Sequence, residues 1–266
     1  MSAYLPFINI VAFVATLVIN YLSQTPLLNG ITTAEIANRF PDSLYFPANS
    51  AFSIWGLIYS FLLAYLINQA IPSQRNNPLL KRIGWLFVAT CVFNAAWVLT
   101  FQFSFFPLSM LLMLALLGTL LTIYIRLDIG GAPVSRRDKW LIHIPFSIYL
   151  GWITAATIAN ATYVLTDIGW DGFGLGNETW ALIMLIVTGV VAAFMVWFRR
   201  DIAYGLVIVW AVGWIYGRYN GTEFTLTSTA ALVVALAVAV LVAVRFFMTL
   251  RGGPAGSSLR TTRAAA

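Results

Sequence analysis

Long apolar runs separated by short polar loops constrain this chain more than any other feature of its sequence. Each run is close to the roughly 20 residues that a helix needs to cross a bilayer. The eight runs lie near residues 5–22, 48–71, 83–105, 107–127, 140–165, 179–198, 202–219 and 225–250. Charged residues make up 9% of the chain, against about 25% in a soluble domain. The sequence therefore predicts an all-α polytopic membrane protein with about eight transmembrane helices.

The basic residues divide unequally between the two sides that eight crossings would create. Two of them, Arg39 and Arg218, fall on one side, and the other thirteen fall on the side of the termini. The thirteen are Arg75, Lys81, Arg82, Arg126, Arg136, Arg137, Lys139, Arg199, Arg200, Arg245, Arg251, Arg260 and Arg263. Because cytoplasmic loops are enriched in Lys and Arg, we predict a protein integral to the cytoplasmic (inner) membrane with both termini in the cytoplasm. The same pattern accounts for the net charge of +6 without a nucleic-acid partner.

Groups that carry acid–base or metal chemistry are scarce in the predicted membrane interior. None of the nine acidic residues falls in the middle of a predicted helix, and the chain has one histidine, His143, and one cysteine, Cys91. Ion-coupled transporters and proton pumps usually place ionisable groups at membrane depth. We predict no catalytic residue, no metal site and no obligatory cofactor, and the sequence leaves open whether the chain is an enzyme.

Aromatic and small polar side chains recur at helical spacing on the second, third and fifth predicted helices. In that order they are Phe52, Trp55 and Tyr59; Asn94, Trp97 and Phe101; and Tyr149, Trp152, Ala156 and Asn160. One interpretation is that the rings face lipid and the amides join helix to helix. The other is that these ten residues line a ligand pocket covered by the polar loop of residues 23–47, whose residues 32–37 resemble a short capped helix.

Small residues spaced four apart predict close approaches between helices. Gly151, Ala155 and Ala159 form such a row on the fifth helix, and Gly213 with Gly217 forms one on the seventh. On the eighth helix the row is Ala231, Ala235, Ala239 and Ala243. We interpret all three rows as packing surfaces.

Three motifs resemble those of one known family. Pro47 followed by Phe52, Trp55 and Tyr59 resembles its proline-containing start of the second helix. The run from Asn94 to Phe101, with Trp97 inside it, resembles the third-helix motif, and Trp152 followed eight residues later by Asn160 resembles the fifth. Residues 1–165 are thus similar to the translocator proteins, also called tryptophan-rich sensory proteins or peripheral benzodiazepine receptors. The chain departs from the family in having Pro47-Ala48-Asn49 in place of a double proline and tryptophan, and no sterol-recognition pattern after Tyr163.

The resemblance implies a five-helix bundle in residues 1–165, followed here by three additional transmembrane helices in residues 166–250. Residues 251–266, rich in Gly, Ser, Ala and Arg, are predicted to form a disordered cytoplasmic tail. The resemblance further implies a receptor or sensor in the lipid bilayer that binds flat hydrophobic ligands, such as porphyrins and other haem-type tetrapyrroles, in a pocket under the first outer loop.

The sequence is also compatible with other functions. The chain could transport or facilitate the passage of small apolar solutes, although no inverted repeat supports this. It could degrade bound porphyrin slowly, as suggested for relatives. Helices six to eight could also bind a partner membrane protein or a second copy through a face that includes Trp210 and Trp214.

Overall fold

A computed structural model describes residues 4–40 and 43–251 of the chain. Over this part the fold is all-helical and contains eight long helices at the predicted positions. They are α1 (Leu5–Ser23), α2 (Asn49–Ala70), α3 (Leu86–Gln102), α4 (Phe106–Leu127), α5 (Arg136–Asp167), α6 (Asn177–Trp197), α7 (Ile202–Tyr219) and α8 (Thr225–Arg251). The predicted disordered tail, apart from Arg251, lies outside the described residues.

Seven of the eight helices are long and apolar enough to cross a membrane. The exception, α3, is a shorter apolar helix of 17 residues, which at 1.5 Å per residue is roughly 26 Å long. It begins at Leu86 because Gly84, with φ of 50°, ends the preceding short helix Pro78–Ile83. The predicted turn between α3 and α4 is confirmed, with Ser104 at φ 62° and Pro107 in the first turn of α4.

Helix α5 occupies the centre of the bundle, since 72% of its most apolar window is buried inside the protein. Its first turns are irregular. A helical turn capped by Ser135 is followed by a π-helical turn at Lys139–His143. Pro145, which has no N–H to donate, lies two residues after the end of this wider turn.

Helix α7 packs against α5, α6 and α8, so the last three helices are in contact with the first five. Glycines allow the closest approaches. A Cβ on Gly205 would lie 2.5 Å from Val196 of α6 and 2.6 Å from Val242 of α8, and one on Gly151 of α5 would lie 3.1 Å from Val207. The predicted division at residue 165 therefore separates two groups of helices that share one packed interior.

The packing role predicted for Gly213 and Gly217 is wrong. A Cβ on Gly213 would meet nothing within 4 Å, and one on Gly217 would meet only the ring of Trp214 in its own helix. The predicted row on α8 is buried at Ala231 and Ala235 but exposed at Ala243. Spacing alone identifies small residues and does not show which side of the helix faces a neighbour.

Loops that the eight-crossing topology places on the same side of the membrane as the termini contact each other. We call this end of the bundle the basic end. Arg82, after α2, donates to the carbonyl of Arg126 near the end of α4 at 3.3 Å. Arg199, after α6, forms an ion pair with Asp128 at 3.3 Å. These contacts agree with the alternating direction of the helices.

The buried carboxylate of Asp201 lies at the same end, directly before α7. It accepts hydrogen bonds from the Tyr124 hydroxyl of α4 at 2.9 Å and the Ser147 hydroxyl of α5 at 2.7 Å, and it caps α7 through the Tyr204 N–H at 3.0 Å. Burial raises the pKa of this carboxyl. Asp201 therefore joins α4, α5 and α7.

Candidate ligand-binding site

The chain enters α2 through a buried extended segment at the end of the bundle opposite the basic end, which we call the outer end after the predicted topology. Tyr45 and Phe46 are buried in this segment, and Pro47 follows without an N–H. The Ala48 N–H donates to the Trp214 carbonyl of α7 at 3.0 Å, and the Trp210 indole N–H donates to the Ala51 carbonyl at 3.0 Å. A 3₁₀ turn at Asn49–Ser53 then leads into the regular helix. These bonds to α7 fix where the aromatic face of α2 begins.

A partly open cavity of about 60 Å³ lies behind this segment, between α2, α3, α5 and α7. Seven of the ten predicted site residues line it. They are Phe52, Trp55, Trp97, Phe101, Trp152, Ala156 and Asn160. Side chains from all three helices that the sequence selected therefore line one cavity.

The aromatic rings around the cavity meet mainly edge to face. The Trp152 ring lies 5.8 Å from that of Phe52 at 85° and 6.3 Å from that of Trp55 at 82°. On the α3 side, the Phe101 ring lies 5.6 Å from that of Tyr163 at 60°. Such pairs contribute roughly 0.5–1.5 kcal/mol each beyond the area they bury. The walls are apolar surfaces made of ring faces and edges.

A few polar groups interrupt the apolar lining. The Asn160 side-chain oxygen accepts from the Trp97 indole at 3.4 Å and lies 3.3 Å from the Ser109 hydroxyl. The indole N–H of Trp152 and the hydroxyl of Tyr163 are buried and have no hydrogen-bond partner within the described part of the chain. An apolar cavity with a small number of polar groups is the usual form of a small-molecule site.

A family model described as TSPO-like protein matches residues 6–244. The chain belongs to the TSPO-like protein family. The match confirms the resemblance to the translocator proteins and extends it beyond residue 165, across α6 and α7 and into α8. No curated protein and no solved structure matches the chain significantly. At the level of the family, the protein is an integral membrane sensor or binder of hydrophobic ligands.

Three predicted site residues of this TSPO-like protein lie outside the cavity. The Asn94 amide donates to the Tyr149 hydroxyl at 3.1 Å, and its oxygen accepts from Asn20 of α1 at 2.8 Å. Tyr59 stacks on Trp55, with ring centroids 5.3 Å apart, and faces an apolar groove between α1 and α2. These three side chains support the cavity wall from behind.

Sequence reasoning missed ten residues that line the cavity. Five come from the first outer loop, namely Thr33, Ala37, Tyr45, Phe46 and Pro47; three from α5, namely Ala155, Ala159 and Tyr163; and two from α7, namely Ala211 and Ile215. The aromatic pair before Pro47 was a usable signal, since large apolar residues are unusual in a polar loop. The small α5 residues were interpreted as a packing row, and nothing marked the two apolar residues of α7.

The first outer loop covers the cavity with a short helix, Thr33–Ala37, which confirms the predicted capped helix. Thr32 and Glu35 form a reciprocal capping box, with Glu35 accepting from the Thr32 N–H at 2.6 Å and its own N–H donating to the Thr32 hydroxyl at 3.3 Å. The hydrogen bond from the Thr32 backbone lowers the pKa of Glu35. Charge on Glu35 thus stabilises part of the cover.

Proposed function

We propose that this TSPO-like protein is a membrane receptor that binds a flat hydrophobic ligand of the porphyrin or haem-precursor type in the aromatic cavity. The observation that carries the proposal is the convergence of Phe52 and Trp55 of α2, Trp97 of α3 and Trp152 of α5 on one space under the first outer loop. A planar macrocycle gains from contact with indole and phenyl faces. Asn160 and the Trp152 N–H supply polar groups that orient it.

The cavity must open to admit such a ligand. Its volume of about 60 Å³ is below the roughly 300–1,000 Å³ of sites for drug-sized molecules. The cover is held by side-chain hydrogen bonds such as that between Ser43 and Thr162, at 2.6 Å, each contributing about 0.5–1.5 kcal/mol net. Burying about 300 Å² of apolar ligand surface would contribute about 7.5 kcal/mol at ~25 cal/mol per Å². That gain is large enough to offset several of these bonds.

The test is a titration of the full chain in lipid nanodiscs with protoporphyrin IX, followed by quenching of tryptophan fluorescence. We expect saturable binding, and about tenfold weaker binding in Trp55→Leu and Trp152→Leu, which corresponds to about 1.4 kcal/mol per variant. Trp140→Leu is the matched control, because Trp140 is exposed at the start of α5 and does not line the cavity. Equal affinities in all three variants would exclude this site.

We further propose that the basic end faces the cytoplasm, which places the cavity cover outside the inner membrane. Support comes from the thirteen-to-two distribution of basic residues and from the contacts that join the basic loops to one another at one end of the bundle. On the face of α7 that was predicted to bind a partner, the Trp210 indole and the Trp214 carbonyl hydrogen-bond to the start of α2, while the Trp210 side chain stays 38% exposed.

A further inference from the structure

Arg218 near the end of α7 lies against the cover of the cavity. Its guanidinium carbon is 4.9 Å from the centroid of the Phe46 ring, and Phe46 lines the cavity. Both terminal nitrogens donate to the side-chain oxygen of Asn38, at 3.2 Å each, and Asn38 follows the cavity-lining Ala37 directly. A cation from α7 is thus held between the two stretches of the loop that close the cavity.

The charge of Arg218 has no carboxylate partner in the described part of the chain. Within residues 4–40 and 43–251 the structure forms one ion pair, Arg199 with Asp128, at the opposite end. A guanidinium has five N–H donors, and Asn38 accepts from two of its nitrogens through one oxygen. Arg218 is half-buried, so donors remain for an acceptor that approaches from the outer end.

We infer that Arg218 selects ligands that carry an acidic group at the edge of a flat apolar body. This inference rests on the proposed function and narrows its ligand class to planar hydrophobic acids, with the carboxylate on Arg218 and the apolar plane among the rings. The planar fork of arginine suits a carboxylate because it can donate two parallel hydrogen bonds. The neutral residues around the cavity would hold the apolar part of the ligand whether or not it carries an acidic group.

The experiment compares protoporphyrin IX, which has two carboxylates, with its dimethyl ester, which has none. Binding of each is measured in nanodiscs of neutral phosphatidylcholine for the unmodified chain, Arg218→Gln and Arg218→Lys. We expect the unmodified chain to prefer the diacid and Arg218→Gln to bind it about tenfold or more weakly, because hydrogen bonds to charged groups contribute more than neutral ones. Affinity for the ester stays unchanged, and Arg218→Lys recovers part of the preference.

Arg39→Gln is the matched control, because Arg39 is the other basic residue predicted on the outer side and is exposed. An equal loss of diacid affinity in Arg39→Gln would show a general attraction to positive charge and overturn the inference. So would an equal loss of both ligands in Arg218→Gln, which would indicate that Arg218 only holds the cover in place. If neither ligand binds saturably to the unmodified chain, the proposed function itself fails.

Discussion

Single polar residues in the apolar interior show how this chain satisfies hydrogen-bonding groups where water is excluded. The sequence predicted that Asn94 and Asn160 would face protein or ligand, because an unpaired amide in lipid is costly. Both are buried and hydrogen-bonded. Asn94 is satisfied entirely by neighbouring side chains and is structural, whereas Asn160 also contacts the cavity. Two similar motifs on two helices therefore have different roles.

At the residue scale, we predict that the short helix over the cavity loses protection from exchange in acid. Because the folded pKa of Glu35 lies below its ordinary value of 4.5, its stabilising effect is present above that value and is lost as the pH falls through the folded pKa. Hydrogen exchange of the amides in residues 35–37, corrected for intrinsic rates, would measure this. In Glu35→Gln the acid-dependent loss should disappear, while Glu223→Gln, at an exposed loop position, should behave like the unmodified chain. A pH-independent protection in the unmodified chain would contradict the assignment.

Helix α7 connects the last three helices to the first five and contributes to the cavity. It supplies Ala211 and Ile215 to the cavity wall, the Trp214 carbonyl to the start of α2, and Arg218 to the cover. Its close packing depends on glycine, since side chains of α6 and α8 fill the space where a Cβ of Gly205 would lie. A change in this helix should therefore alter both stability and the cavity.

At the element scale, we predict opposite effects of side chains added at two glycines of α7. Gly205→Leu should destabilise the protein by about 1–3 kcal/mol, because the added atoms overlap Val196 and Val242. Gly213→Ala should leave stability unchanged or raise it by up to about 1 kcal/mol, because its Cβ meets nothing and alanine favours a helix. Thermal unfolding in detergent measures both. Destabilisation by Gly213→Ala with tolerance of Gly205→Leu would show that α7 is rotated from the orientation described.

On the scale of the whole molecule, eight alternating helices place the ion pair and most basic loops at one end and the cavity cover at the other. The contacts at the two ends are independent of the charge pattern that predicted the topology, and they agree with it. The family match across residues 6–244 likewise treats the helices as one sequence unit. The proposed orientation of this unit in the membrane rests on charge alone.

Cysteine labelling tests that orientation. The natural Cys91 is buried and would be replaced by alanine to remove the background. We expect a membrane-impermeant maleimide added to intact spheroplasts to label Glu223→Cys at the outer end, and to label Ser73→Cys at the basic end only after permeabilisation, since both positions are exposed. The reverse pattern would place the cavity cover in the cytoplasm.

The sequence by itself determined the fold class, the helix positions and most of the aromatic wall. Charge and hydropathy act over whole segments, because a helix that crosses the bilayer must be predominantly apolar along its length. Helical spacing likewise aligns Trp55 with Phe52, and Trp152 with Asn160, before any packing is known.

Tertiary structure decided which of those aligned residues meet an open space and which residues complete it. Asn94 and Tyr149 have the same local pattern as Trp97 and Trp152, yet they hydrogen-bond to each other behind the wall. Ala211 and Ile215 line the cavity and Arg218 contacts its cover because of how α7 is rotated toward α5 and the loop, and Gly205 sets how closely α7 packs against α6 and α8. Helix rotation and separation depend on side chains from several helices at once, so no single segment of sequence contains them.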